Sequence, residues 1–168
     1  MNDKLVIQLG KIIDGLNNNP GNLEQAADFV RSAAMSNAPT GYGELKGSIK
    51  MEIYEDGDAR VAEVYTKKPY AHYVELGTGP KGAAQHSGIS PDVNPAYTPH
   101  PWWIHESQLE PGIADKYHWH SINTPDGKFY ICYGQAAQPF LYPALKNNEQ
   151  TVLKILKEGY EGIMKETL

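Results

Sequence analysis

The hydrophobic period of the chain changes twice along its length, and this change limits the folds that it can adopt. SIKMEIYE, residues 48–55, alternates apolar and polar residues, which is the period of a strand. Near both ends the apolar residues instead recur every three to four positions, as on one face of a helix: Leu5, Leu9, Ile12, Ile13 and Leu16 at the start, and Leu145, Val152, Ile155, Leu156, Ile163, Met164 and Leu168 at the end. We therefore predict an α+β fold with a small antiparallel sheet.

The predicted elements follow in a simple order. Two N-terminal helices come first; the first ends at NNNPG, and Asn22 caps the second, with Gln25 as its capping-box partner. A β-hairpin with a polar tip at 56–58 follows, and KFYICYG is a further strand. The segment 70–76 fits a helix or a strand. A long C-terminal helix begins near Pro143, where a first turn tolerates proline.

The region between these elements, residues 77–128, is rich in Gly, Pro, His and Trp and has no long periodic segment. Stretches of this length without regular structure are unusual inside a compact domain and are often functional. The full length of 168 residues suits a single domain. We therefore predict one domain, 1–168, with an extended Trp- and His-rich arm or insertion at 77–128.

Composition excludes several classes of protein. The net charge is −5, and no Lys/Arg run forms a basic face for nucleic acid or for a membrane surface. No apolar run approaches the ~20 residues of a membrane span. The single cysteine, Cys132, excludes an internal disulfide and fits a reducing cytoplasm; its apolar neighbours indicate a buried side chain.

The segment YAHYVELGTGPKG contains the spacing G-x-G-x-x-G at Gly77, Gly79 and Gly82. A dinucleotide loop must follow a buried strand and open a helix, because the phosphate binds the free N–H groups of that helix. Here Pro80 removes one N–H group, and no βαβ unit surrounds the loop. We therefore predict a turn and no bound cofactor.

The histidines allow a second interpretation. His100, His105, His118 and His120 lie close in sequence, with Glu106 or Cys132 as further ligands for zinc. Their spacing matches no standard ligand pattern, so exposed residues on an aromatic arm are the simpler interpretation. No nucleophile elbow or paired carboxylates indicate catalysis, and we predict that the chain is not an enzyme.

The adjacent Trp102 and Trp103 indicate a contact surface. Neighbouring side chains of an extended segment point to opposite faces, so both indoles are covered only if the segment packs on two sides or lies at an interface. Aromatic anchors are typical of interface hot spots. We predict that Trp102, Trp103 and Trp119 form an interface.

Three separated motifs resemble one known family. NAPTGYGELKGSI (37–49), YAHYVELGTG (70–79) and GQAAQPFLYPAL (134–145) are similar, in order, to signatures of the tail-component family of long-tailed bacteriophages, also called neck, head–tail connector or tail-completion proteins. Residues 42–44 lengthen the usual turn of the first motif, and 86–124 departs from the family pattern. The signature positions expected to be structural are Tyr70, Tyr73, Glu75, Gly77, Thr78, Gly79, Gln138, Pro139, Phe140 and Pro143.

The resemblance implies a structural virion protein of the head–tail junction, made in the bacterial host cytoplasm. It implies a homo-oligomeric ring or plug that contacts other neck and tail proteins, such as a head-completion or adaptor protein and the tail terminator, while genomic DNA passes nearby. Glu75 would accept N–H bonds from the glycine turn, and the two later signatures would fix the base of the arm. The alternatives are a zinc enzyme using the His-rich arm and a non-viral protein-binding adaptor.

Overall fold

The computed structural model describes residues 5–13, 20–41, 43–57, 59–109, 111–116 and 118–166, and within these the side chains of 22–41, 44–57, 59–109, 111–115 and 118–158. Strands and helices alternate irregularly, as the predicted α+β class requires. In chain order they are β1 Leu5–Ile13, α1 Pro20–Asn37, α2 Gly43–Ser48, β2 Lys50–Asp56, β3 Ala59–Thr66, α3 Ala71–Leu76, α4 Gly79–Ala84, β4 Trp102–His105, α5 Ile113–Lys116, β5 Ser121–Thr124, β6 Gly127–Cys132, α6 Tyr142–Lys146 and α7 Glu149–Glu166.

The first sheet is antiparallel, with the order β1-β3-β2. The hairpin β2–β3 is confirmed, and Met51 pairs with Val64 across it. The predicted first helix is wrong, because Leu5–Ile13 forms a strand that pairs with β3, Leu5 opposite Thr66. LVIQLGKII carries both periods, and the strand form gains backbone pairing with β3 on either side of a register shift between Leu9 and Ile12. Residues 14–19, where that helix was predicted to end, lie outside the described part.

Helix α1 packs on the inner face of this sheet and forms the main core. Its small buried residues let the helix lie close to Ala62 and Val64 of β3. The predicted Asn22 cap is wrong, because the helix begins at Pro20. The Asn22 amide instead donates to the Ile155 carbonyl at 2.9 Å and joins α1 to α7. The fully buried or nearly buried side chains of α1 are Leu23, Ala26, Ala27, Val30 and Ala34.

The region predicted as an irregular arm contains regular structure. Strands β4, β6 and β5 form a second antiparallel sheet in that order, with Trp102 opposite Cys132 and Ile122 opposite Phe129. The strand predicted in KFYICYG is confirmed as β6. The expected lack of regular structure was wrong because β4 and β5 have four residues each, too few to show a period, and β4 pairs with residues more than 20 positions away.

The C-terminal part forms two helices, α6 and α7, where one helix was predicted. Asn147 and Asn148 separate them, and the Asn148 side chain donates to the Ala144 carbonyl at 2.9 Å. Segment 70–76, for which the sequence left helix and strand open, is the short helix α3. Within the described part of the chain, no helix is long and apolar enough to cross a membrane.

Candidate functional site

The Glu75 side chain joins two distant parts of the chain. It lies on α3 and is 4% exposed. Its Oε2 accepts hydrogen bonds from the backbone N–H groups of Phe140 at 2.7 Å and Leu141 at 3.0 Å, and its Oε1 accepts from Tyr142 at 2.9 Å. A buried carboxylate requires such partners, because desolvation of its charge is costly. The donors are the entry to α6 and differ from the glycine turn that the sequence suggested.

The residues around these donors explain the order PFLYPAL. Pro139 lacks an N–H group, so the run of donors begins at Phe140, whose side chain is fully buried. The Phe140 carbonyl accepts a bond from the Asn37 amide at the end of α1, at 3.3 Å. Pro143 lies in the first turn of α6. Backbone N–H groups in a first turn have no acceptor within the helix, so the missing N–H group of proline costs no helical hydrogen bond. The segment therefore connects α1, α3 and α6 at one point.

Each of the three glycines in the G-x-G-x-x-G spacing allows a close approach. A Cβ at Gly77 would lie 2.7 Å from the Ala137 nitrogen, and Gly77 has φ +78°. A Cβ at Gly79, φ +60°, would lie 2.8 Å from the Trp102 ring. At Gly82 it would lie 2.8 Å from the Tyr97 ring. The spacing is thus a packing motif around α4, because a side chain at any of these three positions would collide with its neighbours.

A pair of backbone bonds ties the glycine turn to the start of the last signature. The Thr78 N–H donates to the Gln135 carbonyl at 2.9 Å, and the Gln135 N–H donates to the Thr78 carbonyl at 3.1 Å. The Gln138 N–H donates to the Val74 carbonyl at 2.8 Å. Residues 74–79 and 134–142 are therefore in direct contact, although more than 50 residues separate them in sequence.

The two signature tyrosines have different surroundings. Tyr70 is half-buried, and its carbonyl accepts from the N–H groups of Tyr73 and Val74 in the first turn of α3. Tyr73 is 51% exposed, and its ring centroid lies 4.0 Å from that of His72. Tyr73 therefore presents an aromatic surface to solvent next to the contact between residues 74–79 and 134–142, and Tyr70 belongs to the start of α3.

Sequence reasoning missed Tyr97 and Gln135 as structural residues. The Tyr97 hydroxyl donates to the Leu76 carbonyl at 2.7 Å, its ring covers Gly82, and burial raises the pKa of its phenol. The Gln135 side chain donates to the Tyr73 carbonyl at 2.7 Å. Tyr97 lies in a segment without periodicity, so only the glycine at 82 hinted that a bulky neighbour was near. Gln135 was part of a recognised motif but was not singled out.

The tryptophans take different positions around the second sheet. Trp102 and Cys132 form a cross-strand pair on the inner face, where the Trp102 ring contacts Gly79. Trp103 pairs with Ile131 on the outer face and is 45% exposed. Trp119 is half-buried and lies before β5. The expected alternation of Trp102 and Trp103 is therefore present, and the inner indole packs within the chain.

A groove lies on the inner side of the second sheet, between this sheet and the first part of the chain. Its volume is about 830 Å³. The loop after α1, helix α4 and the last signature form the polar walls, and Ile113, Trp119 and Cys132 add apolar surface. Lys81 is the charged residue among its described lining.

The conformation of His118 positions Trp119 beside this groove. His118 has φ +52°, which is uncommon for a residue with a Cβ. Its N–H group donates to the Asp115 carbonyl at 3.1 Å, and the Trp119 N–H donates to the Ala114 carbonyl at 2.9 Å. These two bonds form a Schellman motif that ends α5, with His118 where glycine is usual.

The histidines form no metal site in the part of the chain that the structure describes. No group of three or more His, Cys, Asp or Glu residues is placed there to hold an ion. The Nδ1 atom of His105 accepts from the Ser107 N–H at 3.2 Å, and its Nε2 lies 3.0 Å from the Asp126 carbonyl. The His105 ring also meets Phe129 edge-on, with 4.9 Å between centroids. This histidine therefore stabilises the turn between β5 and β6.

Residues 21–77 match the model of a protein family described as "Bacteriophage HK97-gp10, putative tail-component". The match confirms the resemblance that the sequence motifs indicated, covers about a third of the chain and ends within the glycine turn. No curated protein and no solved structure matches the chain. The last signature lies beyond the matched residues, and Glu75 joins it to them.

Proposed function

We propose that this chain is a structural virion protein of the phage head–tail junction, which assembles as a ring or plug for tail completion and head–tail joining. The observation that supports this most is the junction at Glu75. This buried residue, inside the segment matched by the tail-component family, binds the entry of α6 through three backbone hydrogen bonds. Two motifs that resemble the same family thereby form one rigid base.

This base supports the second sheet, which presents side chains for contact with partners. Trp102 packs on Gly79 of the base, and Lys81 donates its backbone N–H to the Tyr133 carbonyl just after β6. A rigid support lowers the entropy that a binding surface loses on association, since its side chains are already positioned. The partners that we propose are further copies of the chain and other neck and tail proteins. The role is structural, without a cofactor or a catalytic step.

Deletion of the gene from the phage that encodes it tests the proposal. We expect electron micrographs of the lysate to show separate DNA-filled heads and free tails, or tails of abnormal length. Wild-type protein supplied from a plasmid should restore joined particles. Two plasmid variants form a matched pair. Trp103→Ala removes an exposed apolar side chain from the second sheet, and Leu153→Ala removes one from α7. Normal infectious particles from the deletion alone would overturn the proposed function.

A further inference from the structure

Residues 87–101 lie between α4 and β4 and form no helix or strand, and we call them the strap. Most of their side chains are exposed, and none belongs to the buried core. The strap still has internal order, because the Val93 N–H donates to the Ser90 carbonyl at 3.2 Å and closes a turn. Four prolines restrict its backbone further: Pro91, Pro95, Pro99 and Pro101. A segment restricted in this way moves as a unit.

One side chain connects the strap to the rest of the molecule by a hydrogen bond. The Tyr97 hydroxyl donates to the Leu76 carbonyl, at the end of α3, at 2.7 Å. Within the described residues, no other hydrogen bond leaves the strap. The Tyr97 ring lies against Gly82 of α4, where a Cβ would come within 2.8 Å of it, and its centroid is 5.6 Å from that of His86. Tyr97 is therefore the latch of the strap.

The segment that follows β6 shows what a firmer connection requires. Residues 134–141 also form no helix or strand, but the Gln138 N–H donates to the Val74 carbonyl, and the entry to α6 donates three N–H groups to the Glu75 carboxylate. Hydrogen bonds to an ionised group are roughly twice as strong as neutral ones. Several bonds must therefore break before this segment leaves α3, whereas the strap is released by the loss of one neutral bond.

We propose that the strap is a conformational device that opens at Tyr97 while the contact between α3 and α6 stays closed. Gly88, with φ +82°, lies at one end of the strap and β4 begins at the other, so the segment swings between two fixed points. In the open form the Leu76 carbonyl and the slot beside Gly82 face solvent. Water then replaces the phenol as the donor to this carbonyl, which keeps the cost of opening small. The inference concerns a motion of the free protein and does not depend on the proposed function.

Distances between spin labels test this opening in the full-length protein. One pair of labelled cysteines, Val93→Cys and Leu153→Cys, spans the strap and α7, and a second pair, Tyr73→Cys and Leu153→Cys, spans α3 and α7. The three replaced side chains are 41–51% exposed, and Cys132→Ala removes the native thiol. We expect a narrow distance distribution for the 73–153 pair. For the 93–153 pair we expect a main peak and a minor, broad component from the open strap.

Substitution of the latch should change the 93–153 distribution alone. Tyr97→Phe removes the hydroxyl and should raise the open fraction about three- to tenfold, and Tyr97→Ala, which also removes the ring, should make the open form dominant. Tyr133→Phe is the matched control, because it removes a hydroxyl from a side chain that is 46% exposed. An unchanged 93–153 distribution in both Tyr97 variants would overturn the inference, since other contacts would then hold the strap. Broadening of the 73–153 distribution in the same variants would also overturn it, since α3 would then move with the strap.

Discussion

The two sheets of this protein have the same strand arrangement but place their apolar surface differently. In the first sheet the central strand β3 is buried from Val61 to Thr66, on both of its faces. In the second sheet the central strand β6 is mostly half-buried, and only Cys132 at its end is buried. Strand β3 keeps its apolar side chains buried within the chain, whereas the second sheet leaves Trp103 and Ile122 exposed to solvent.

This difference predicts that the two sheets contribute unequally to the stability of the fold. Burial of apolar surface stabilises a fold in proportion to the area removed from water, so β3 and α1 carry most of that stabilisation. The outer side chains of the second sheet contribute little to folding, since they stay partly hydrated. Changes at the Glu75 junction and in the core around β3 should therefore lower stability, whereas changes at exposed side chains of the second sheet, such as Trp103, should leave it nearly unchanged.

The largest expected effect on stability comes from Glu75. Glu75→Ala should lower the free energy of unfolding by about 3–5 kcal/mol, because three backbone N–H groups lose their acceptor in a buried site. Glu75→Gln keeps one acceptor oxygen and places an NH₂ group against a donor, so we expect about 2–4 kcal/mol. Urea denaturation measures both, with the exposed Glu24→Gln as control. A loss below about 1 kcal/mol for Glu75→Ala would contradict this role.

Gly77 provides a second test of the base. Gly77→Ala should destabilise by about 3 kcal/mol, because the new Cβ meets the Ala137 nitrogen and φ is +78°. Gly47→Ala is the matched control, since nothing lies within 4 Å of its Cβ position in α2. That substitution should stabilise by up to about 1 kcal/mol through helix propensity. Equal effects of the two substitutions would show that the base is not tightly packed.

The adjacent tryptophans test the comparison within one strand. Trp102→Ala should cost about 2 kcal/mol of stability, because the ring that packs on Gly79 is lost. Trp103→Ala should change the free energy of unfolding by less than about 1 kcal/mol while it weakens assembly. Thermal unfolding and sedimentation of both variants provide the data. Similar stability losses for the two would mean that the outer face also supports the fold.

A smaller, opposite effect is expected at His118. Its backbone has φ +52°, so His118→Gly should stabilise by about 0.5–1 kcal/mol by removing steric strain at the end of α5. Differential scanning calorimetry measures the shift in Tm, and His120→Gly, in the same segment, serves as control. A lower Tm for His118→Gly would show that the imidazole itself stabilises the loop.

The smallest effect is expected at the exposed pair Glu44–Lys68, which is 2.6 Å long. The hydrogen bond from Lys68, and then its charge, lower the pKa of Glu44 below the ordinary 4.5. A lowered pKa in the folded state adds stability above pH 4.5 that disappears as the pH falls through the folded value. Glu44→Gln should therefore reduce the slope of stability against pH in this acid range, slightly and less in high salt. An unchanged slope at low salt would contradict the pairing.

Several elements of the fold could be predicted from the sequence. The alternation in SIKMEIYE predicted the hairpin, and the β-forming residues of KFYICYG predicted β6, because short-range period and turn residues decide these elements. The motifs also singled out Glu75 and Gly77 as structural positions, which the substitutions above test. The donors to Glu75 could not be predicted, because residues 140–142 approach it only after α3 and α6 have packed against the core.

The sequence by itself determined the mixed fold class, the hairpin and the buried setting of Cys132. The tertiary structure decided that Leu5–Ile13 is a strand, since its pattern suits two periods and only the neighbouring edge of β3 selects one. It also decided that the Trp- and His-rich region contains a sheet, because β4 and β6 lie more than 20 residues apart. Local residue patterns determine elements that are stable through near neighbours, whereas pairings between distant strands depend on the packed chain as a whole.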